Sequence, residues 1–373
     1  MIKRLLEKLI IDKIGRKKAL IILGARQTGK TTLIKKILSD NVGETIFLNA
    51  DKPIVQEQLG SASIDEFKHL FGAAKLVFID EAQRIKNIGI VLKLIVDELP
   101  EIQLVVTGSS AFELSNSINE PLTGRKYEYR LFPISWGELV DYTNHFEALS
   151  QLQQRLIFGM YPDVIINPGN EKEILLNLTE SYLYKDIIAF QQIRKPEFVQ
   201  KLLQALAFQT GNEVSYNELS NLLQIDRKTI IHYIDLLEKA FVIFRLPSFS
   251  RNLRKELVSK IKIYFYDTGV RNALIGDFRP FNMRTDKGAL WENFFISERK
   301  KANHYNLKYV NSYFWRTHQK QEIDYIEEAD GLINALEIKW SDSAKFKIPK
   351  TFTDTYQNST VELITSTNFY HYL

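Results

Sequence analysis

The octapeptide Gly24-Ala25-Arg26-Gln27-Thr28-Gly29-Lys30-Thr31 leaves this chain few folds to choose from. It matches GxxxxGK(S/T) at every fixed position. The five residues before it, Ala19–Leu23, are all apolar, and Thr32–Leu38 continues in a helical pattern. A strand, a glycine-rich turn and a helix in that order can cradle phosphate. The glycines let backbone N–H groups curl inward, and the helix N-terminus adds partial positive charge. In such a loop Lys30 reaches the β- and γ-phosphates and Thr31 offers its hydroxyl to Mg²⁺. Residues 24–31 with Thr32 are therefore the expected nucleotide cradle. The flanking strand and helix argue against the alternative, a chance glycine-rich turn.

A second segment sits where that chemistry needs it. Leu76-Val77-Phe78-Ile79 is a continuous apolar run, as in a strand buried on both faces, and it ends in Asp80-Glu81. Asp80 is placed to hold the Mg²⁺ shell and Glu81 to polarise the attacking water. An acid in that position favours hydrolysis over transfer to a small acceptor. A third run, Leu104–Thr107, leads into Gly108-Ser109-Ser110. Resemblance to AAA+ proteins, in which a polar residue here contacts the γ-phosphate or the water, makes Thr107 and Ser109 candidates, although turn formation explains both equally well. Arg125, just before the strand Tyr127–Leu131, is a candidate charge-stabilising arginine. It would act in cis or from a neighbouring subunit of a homo-oligomer, unless it is simply a surface arginine. ATP and Mg²⁺ are the cofactors that these residues imply.

The apolar runs at Ala19–Leu23, Thr45–Asn49, Leu76–Ile79, Leu104–Thr107 and Tyr127–Leu131 are mostly separated by helix-compatible stretches. That alternation predicts a parallel sheet covered by helices. Pro162, Pro168 and Gly169 then punctuate the chain and suggest a boundary near residue 170. With 373 residues, two or three domains are expected. The predicted architecture is α/β: a P-loop parallel-sheet domain over 1–170, a helical linker and winged-helix domain over 171–285, and a small α/β domain over 286–373. Residues 267–288 show no clear pattern.

The absence of cysteine excludes a disulfide framework and a cysteine zinc site, and suits a reducing cytoplasm. Ile2, Leu5, Leu6, Leu9 and Ile10 recur at helical spacing, but Glu7 and Lys8 break the apolar stretch, which argues against a signal-peptide core. No run approaches the ~20 apolar residues of a membrane span.

In the middle region, Tyr216–Leu223 reads as a short amphipathic helix, Ile225-Asp226 as a turn with Asp226 as N-cap, and Arg227–Lys239 as a second helix. Phe241–Leu246 and Ile261–Tyr266 follow as a hairpin. The order is that of a winged helix-turn-helix. The net charge of +4 does not by itself specify a nucleic-acid partner. Its distribution is more informative: residues 245–262 carry Arg245, Arg251, Arg254, Lys255, Lys260 and Lys262 against Glu256 alone, and Arg227 and Lys228 open the second helix. DNA is the expected partner of such a patch. A winged helix that docks a protein is the alternative.

The C-terminal region reads as a helix over Leu290–Asn303, then strands Tyr313–Arg316, Glu322–Glu327 and Asn334–Trp340, a helix-like stretch, and a strand Val361–Thr365. Glu292 lies near the start of the helix and Asp324 on the second strand. Glu337 and Lys339, two apart on the third, share a face. This arrangement resembles the PD-(D/E)xK nuclease fold. The resemblance implies that Asp324 and Glu337 bind Mg²⁺ with help from Glu292, and that Lys339 orients water or stabilises developing charge. Glu-x-Lys is also common on exposed strands, and such folds persist without activity.

The whole chain resembles the predicted bacterial and archaeal AAA+ ATPases in which an AAA domain precedes a large C-terminal domain of unknown function. The resemblance rests on GARQTGKT, LVFIDEAQ around Asp80, VTGSS around Gly108 and LTGRKYEYRLFPISWGEL around Arg125. It continues through MYPDVI around Pro162, YFYDTGV around Asp267, GALWENF around Glu292 and YFWRTHQKQEIDYI around Asp324. Met160 stands where the family often has a second glycine.

Overall fold

Strand burial orders the first layer. In the computed structural model, which describes all residues except 41–43, 62, 109–117, 119, 184–195, 251–259 and 318, β1 (Ala19–Leu23), β3 (Leu76–Asp80) and β4 (Gln103–Gly108) are buried at every position. Such strands must lie inside a sheet covered on both faces. They do: the sheet is parallel, in the order β2-β3-β4-β1-β5, with the less buried β2 (Thr45–Asn49) and β5 (Lys126–Arg130) at its edges. The sequence-predicted strands agree with these within one residue at either end.

Helices pack on this sheet through apolar stripes. α1 (Leu5–Ile11) buries Leu6 and Ile10, and α2 (Lys30–Asp40) buries Leu33, Ile34 and Ile37. α3 (Pro53–Ser61), α4 (Ile64–Phe71) and α5 (Ile88–Glu98) complete the set named here. A reciprocal capping box between Ser63 and Glu66 starts α4, satisfying two N–H groups that the first turn leaves without partners.

The chain forms two compact units, Met1–Pro133 with Lys239–Phe241, and Ile134–Glu238 with Val242–Leu373. The first therefore ends well before the expected boundary near 170, and the residues expected to form two further domains share one unit. Hydrogen bonding accounts for the early break. The Ile134 N–H donates to the Met160 carbonyl (2.8 Å), the Trp136 N–H to Glu298 Oε2 (2.6 Å), and Lys301 Nζ to the Ile134 carbonyl (3.1 Å). Inside the second unit Pro162 opens a short helix, Pro162–Ile166, and Pro168 and Gly169 form the turn after it.

Within that unit, helices Pro196–Phe208, Tyr216–Leu223 and Arg227–Lys239 accompany a three-stranded antiparallel sheet. Its order is β6 (Glu213–Val214), β8 (Ile261–Phe265), β7 (Ile243–Pro247). Asp226 caps the last of the three helices, as expected, with Oδ1 accepting from the Thr229 N–H at 3.0 Å. Helix Lys287–Tyr305 leads into a mixed four-stranded sheet, β12-β11-β10-β9, built from β9 (Asn311–Arg316), β10 (Glu322–Ala329), β11 (Leu332–Ile338) and β12 (Ser359–Ile364). β9, β10 and β11 run antiparallel, and β12 lies parallel to β11. Asp330 and Gly331, with φ of 52° and 78°, make the tight turn between β10 and β11. Phe249, Trp315, Ile323, Ile326, Phe352 and Tyr356 pack among the core residues of one face.

The stretch after Asp267 contains a helix, Thr268–Leu274, that the sequence pattern did not reveal. Asp267 caps it and also accepts the Met160 N–H at 2.6 Å. Gly159 has φ +71°, and a Cβ there would lie 2.1 Å from Asp267 Oδ1. The MYPDVI and YFYDTGV segments thus meet in a packing joint. Gly159→Ala should destabilise the chain by about 3 kcal/mol, through backbone strain and a forced shift of a buried carboxylate. Gly288→Ala, where a Cβ meets nothing within 4 Å, is the control. Denaturant unfolding of both variants checks this: equal midpoints would remove the joint.

Candidate functional site

The phosphate-cradle motif lies at the C-terminal end of β1, where parallel α/β sheets bind ligands. Gly24 approaches β5 so closely that a Cβ would stand 2.2 Å from the Leu131 carbonyl oxygen. Gly29 turns the loop at φ +95° into α2, whose first residue is Lys30. Lys30 is buried, and its ammonium donates to the carbonyls of Gly24 (2.8 Å) and Ala25 (2.9 Å). Thr28 Oγ1 donates to the Ala25 carbonyl at 2.8 Å.

β4 separates β1 from β3, and the side chains close that gap. Thr31 Oγ1 donates to Asp80 Oδ2 at 2.7 Å. Thr107 Oγ1 donates to Asp80 Oδ1 and accepts the Glu81 N–H at 3.2 Å. Glu81 adopts a left-handed backbone (φ +54°), and its Oε2 accepts from Gln83 Nε2 at 2.5 Å. Thr107, a candidate for contact with phosphate or water, has its fully buried hydroxyl at the Asp80 carboxylate and the Glu81 backbone N–H. Ser109 lies outside the described residues. The oxygen donors of Thr31 and Asp80, already paired, fit a hard cation such as Mg²⁺.

Arg125 does not join this group. Its carbonyl accepts from the Ala19 N–H at 2.9 Å, which puts it at the opposite end of β1 from the loop. Four strand steps separate the ends, roughly 13 Å at the usual rise. Its side chain pairs with Asp97 of α5 at 2.6 Å. The cis role falls on this geometry. Sequence reasoning missed Arg4, whose guanidinium donates to the Thr28 carbonyl of the loop at 2.5 Å. The available signal was a charged residue among the inward-facing Ile2, Leu6 and Ile10.

The C-terminal residues converge in part. Extending the register Tyr325↔Leu336 by one step sets Asp324 opposite Glu337, beside a β-bulge between Ile323 and Ile326. Bulges of this kind re-aim side chains near sites. Lys339 Nζ lies 2.6 Å from Glu337 Oε1 and 3.4 Å from Asp324 Oδ2. Asp324 Oδ2 also accepts the Ile338 N–H at 2.9 Å. Glu337 Oε2 is buried without a hydrogen-bond partner. Asp324 and Glu337 therefore fit a cation, and Glu292 stands near enough for the Asp324 charge to raise its carboxyl, although it already has partners of its own. Its Oε1 accepts from Lys262 Nζ (3.1 Å) and from the Tyr264 hydroxyl (2.5 Å). Among the described residues no three ligand-type side chains stand close enough to hold a metal as they are placed.

Lys262 overturns its expected role. Expected in a phosphate-binding wing, it is instead buried on β8 and pairs with Glu322 (2.7 Å) as well as Glu292. Lys262 and Tyr264, two apart, reach the same carboxylate from one strand face. Arg245 pairs with Asp235 and Glu238, each at 2.6 Å, and Lys260 pairs with Glu213 at 2.6 Å. The three described wing cations are thus matched by the fold's own acids. Arg251, Arg254, Lys255 and Glu256 lie outside the described residues. Arg227 and Lys228 are exposed at the start of their helix, as expected.

Comparison with known proteins agrees with the geometry of the first unit. Residues 16–140 match the AAA domain family AAA_14. They form an AAA domain of the P-loop type. Residues 149–280 match a domain of unknown function, DUF8612, and residues 287–370 another, DUF4143. The chain is similar to an uncharacterized protein of Methanocaldococcus jannaschii, 26% identical over 347 residues that cover 86% of this chain and 73% of that one. It is similar also to one of Mycobacterium tuberculosis, 28% identical over 324 residues, 86% of this chain and 69% of that one. Its fold is like that of a Walker-type ATPase of Pyrococcus abyssi, with a TM-score of 0.52 at 15% identity over 74% of this chain and 96% of that one. No helix among the described residues is long and apolar enough to cross a membrane.

Two outcomes follow from the acidic cluster. Lys262→Met leaves Glu292 and Glu322 without their cation, and should cost on the order of 3–5 kcal/mol. Adding Glu292→Gln should recover part of that loss in denaturant unfolding; no recovery would show that the ion pairs do not set the cost.

The second outcome concerns pH. Burial, and then the charge of Asp324, push Glu292 and Glu337 up to about 7. The folded chain then holds protons that the unfolded chain releases, so this contribution is complete below the ordinary glutamate range and is lost as pH rises through about 7. Unfolding free energy should fall between about pH 5 and about pH 8, and Glu292→Gln should flatten the fall. A wild-type profile that rises across this window would reverse the assignment.

Proposed function

We propose that this chain binds and hydrolyses ATP with Mg²⁺ at the P-loop, and that nucleotide state governs a second unit that acts on DNA. One observation carries the ATPase reading: the Thr31 hydroxyl and the Asp80 carboxylate meet 2.7 Å apart beside the loop, with Glu81 next in sequence. Lys30 and the loop N–H groups would hold the β- and γ-phosphates. Glu81 would orient a water whose oxygen attacks the γ-phosphorus as the bond to the β-γ bridging oxygen breaks, leaving ADP and phosphate. Mg²⁺ held by Thr31 and Asp80 would neutralise the charge that develops on the phosphates. Thr107 would position both acids. An Arg125 contribution would come from a neighbouring copy, so a homo-oligomer belongs to this reading.

The order helix, β6, helix, helix, β7, β8 supports a winged-helix assignment for the middle of the chain. The pairing of Asp324, Glu337 and Lys339 on β10 and β11 supports a PD-(D/E)xK-like assignment for the C-terminal part. A second reading has its own support: Arg245, Lys260 and Lys262 each already pair with an acid of the fold, and Lys262 is buried, which lowers the positive charge this hairpin offers to phosphates. The second unit would then dock a protein, with the ATPase as its regulator.

The test is phosphate release with and without duplex DNA, alongside nucleotide affinity. Lys30→Ala should lose affinity or turnover. Glu81→Gln should bind ATP normally and turn over at least on the order of 100-fold more slowly. Turnover of Glu81→Gln equal to wild type would remove the assigned role. Stimulation by DNA, with Mg²⁺- or Mn²⁺-dependent cleavage lost in Asp324→Asn, favours the DNA-acting reading; neither effect favours the protein-docking one.

A further inference from the structure

Arg4 is only 7% exposed, and its guanidinium spans two backbone segments that are far apart in sequence. Nη1 donates to the Thr28 carbonyl in the P-loop at 2.5 Å, and Nη2 donates to the Phe132 carbonyl at 2.7 Å. Phe132 immediately precedes Pro133, where the first stretch of the first unit ends and the chain passes into the second. The same two segments touch again nearby. The Leu131 N–H donates to the Leu23 carbonyl at 2.7 Å, and the Leu131 carbonyl occupies the space a Cβ on Gly24 would need. The loop and the exit of β5 therefore share a seam, and Arg4 crosses it.

A loop whose N–H groups turn toward an anion turns its carbonyls away from it. Thr28 presents such a carbonyl to Arg4. A guanidinium there fixes the peptide's orientation through a charge-assisted hydrogen bond and adds positive charge behind the cradle. Its planar fork is rigid, so a rotation of the Thr28 peptide either shifts Phe132 or breaks one of the two bonds. A lysine, a point charge on a flexible stem, does not impose that relation.

We propose that Arg4 is a positioning residue that couples the P-loop to the Phe132–Pro133 exit, so that nucleotide in the loop is registered where the chain enters its second unit. The proposal rests on the reading of the loop as an ATP site. Its test is amide hydrogen exchange on the full-length chain, with and without a non-hydrolysable ATP analogue and Mg²⁺, beside nucleotide affinity. In wild type, nucleotide should change exchange both at residues 24–31 and at residues 131–136. Arg4→Met should bind roughly 3- to 30-fold more weakly, the loss of hydrogen bonds to a charged group. At saturating analogue it should keep the change at 24–31 and lose the change at 131–136. Arg4→Lys, which guards against a variant that fails to fold, should bind within about threefold of wild type and still lose most of the response at 131–136. A full response in either variant overturns the coupling. Wild type that binds nucleotide without any change at 131–136 overturns the coupling alone, whereas wild type that binds no nucleotide overturns the ATP reading and the coupling with it.

Discussion

The nucleotide side of the first unit depends on one buried carboxylate. Asp80 ends β3 at 2% exposure, and each of its oxygens accepts a hydroxyl: Oδ2 that of Thr31, Oδ1 that of Thr107. A charge so placed persists only when it is hydrogen-bonded. The two donors come from different elements, the helix that follows β1 and the end of β4. One residue therefore ties together the ends of three neighbouring strands, in the order β3-β4-β1. Thr107 extends the tie by accepting the Glu81 N–H, which sets the direction of the next acid. The Gly24–Leu131 approach does the same on the β5 side.

The acids around Asp324 and Glu292 in the second unit are neutralised differently, by lysines. Lys262 reaches Glu292 and Glu322 from β8, and Lys339 reaches Asp324 and Glu337 from the end of β11. The first of these bonds joins the three-stranded sheet to the helix Lys287–Tyr305 and to β10. The two portions matched by separate families are thereby stitched through buried charge, consistent with their forming one compact unit. Breaking such a pair from one side is costly because the remaining charge stays buried.

The parts of this architecture that were legible in the sequence are those set by local pattern. β1, β3 and β4 were readable because strands buried on both faces must be apolar nearly throughout. The P-loop was readable because its chemistry needs glycine and lysine at fixed spacing, and the β10–β11 turn because Asp-Gly suits positive φ. Long-range side-chain geometry was not legible. The bonds of Arg4 span 24 and 128 residues, and Lys262 meets Glu292 30 residues on. Yet both left a trace, a charge set into an otherwise buried apolar face. Arg125 misled because position relative to a strand's start, rather than nearness to the motif in sequence, decides which end of a parallel sheet a residue occupies.

Charge counted along the chain overstated the basic surface for the same reason. Counterion release on nucleic acid scales with cations that reach phosphates, so a buried lysine holding carboxylates, as Lys262 does, does not count. Arg245 sits between Asp235 and Glu238, and Lys260 faces Glu213. Moving either to a phosphate exchanges one ion pair for another and leaves an acid beside the incoming polyanion, an unfavourable arrangement. Arg227 and Lys228 differ: both are exposed at a helix N-terminus, and the Asp226 carboxylate is engaged by Thr229. Asp226 keeps its negative charge beside them, because the Thr229 donors that engage it favour the ionised form. Composition alone therefore overstates the free positive charge that the described residues of this hairpin present.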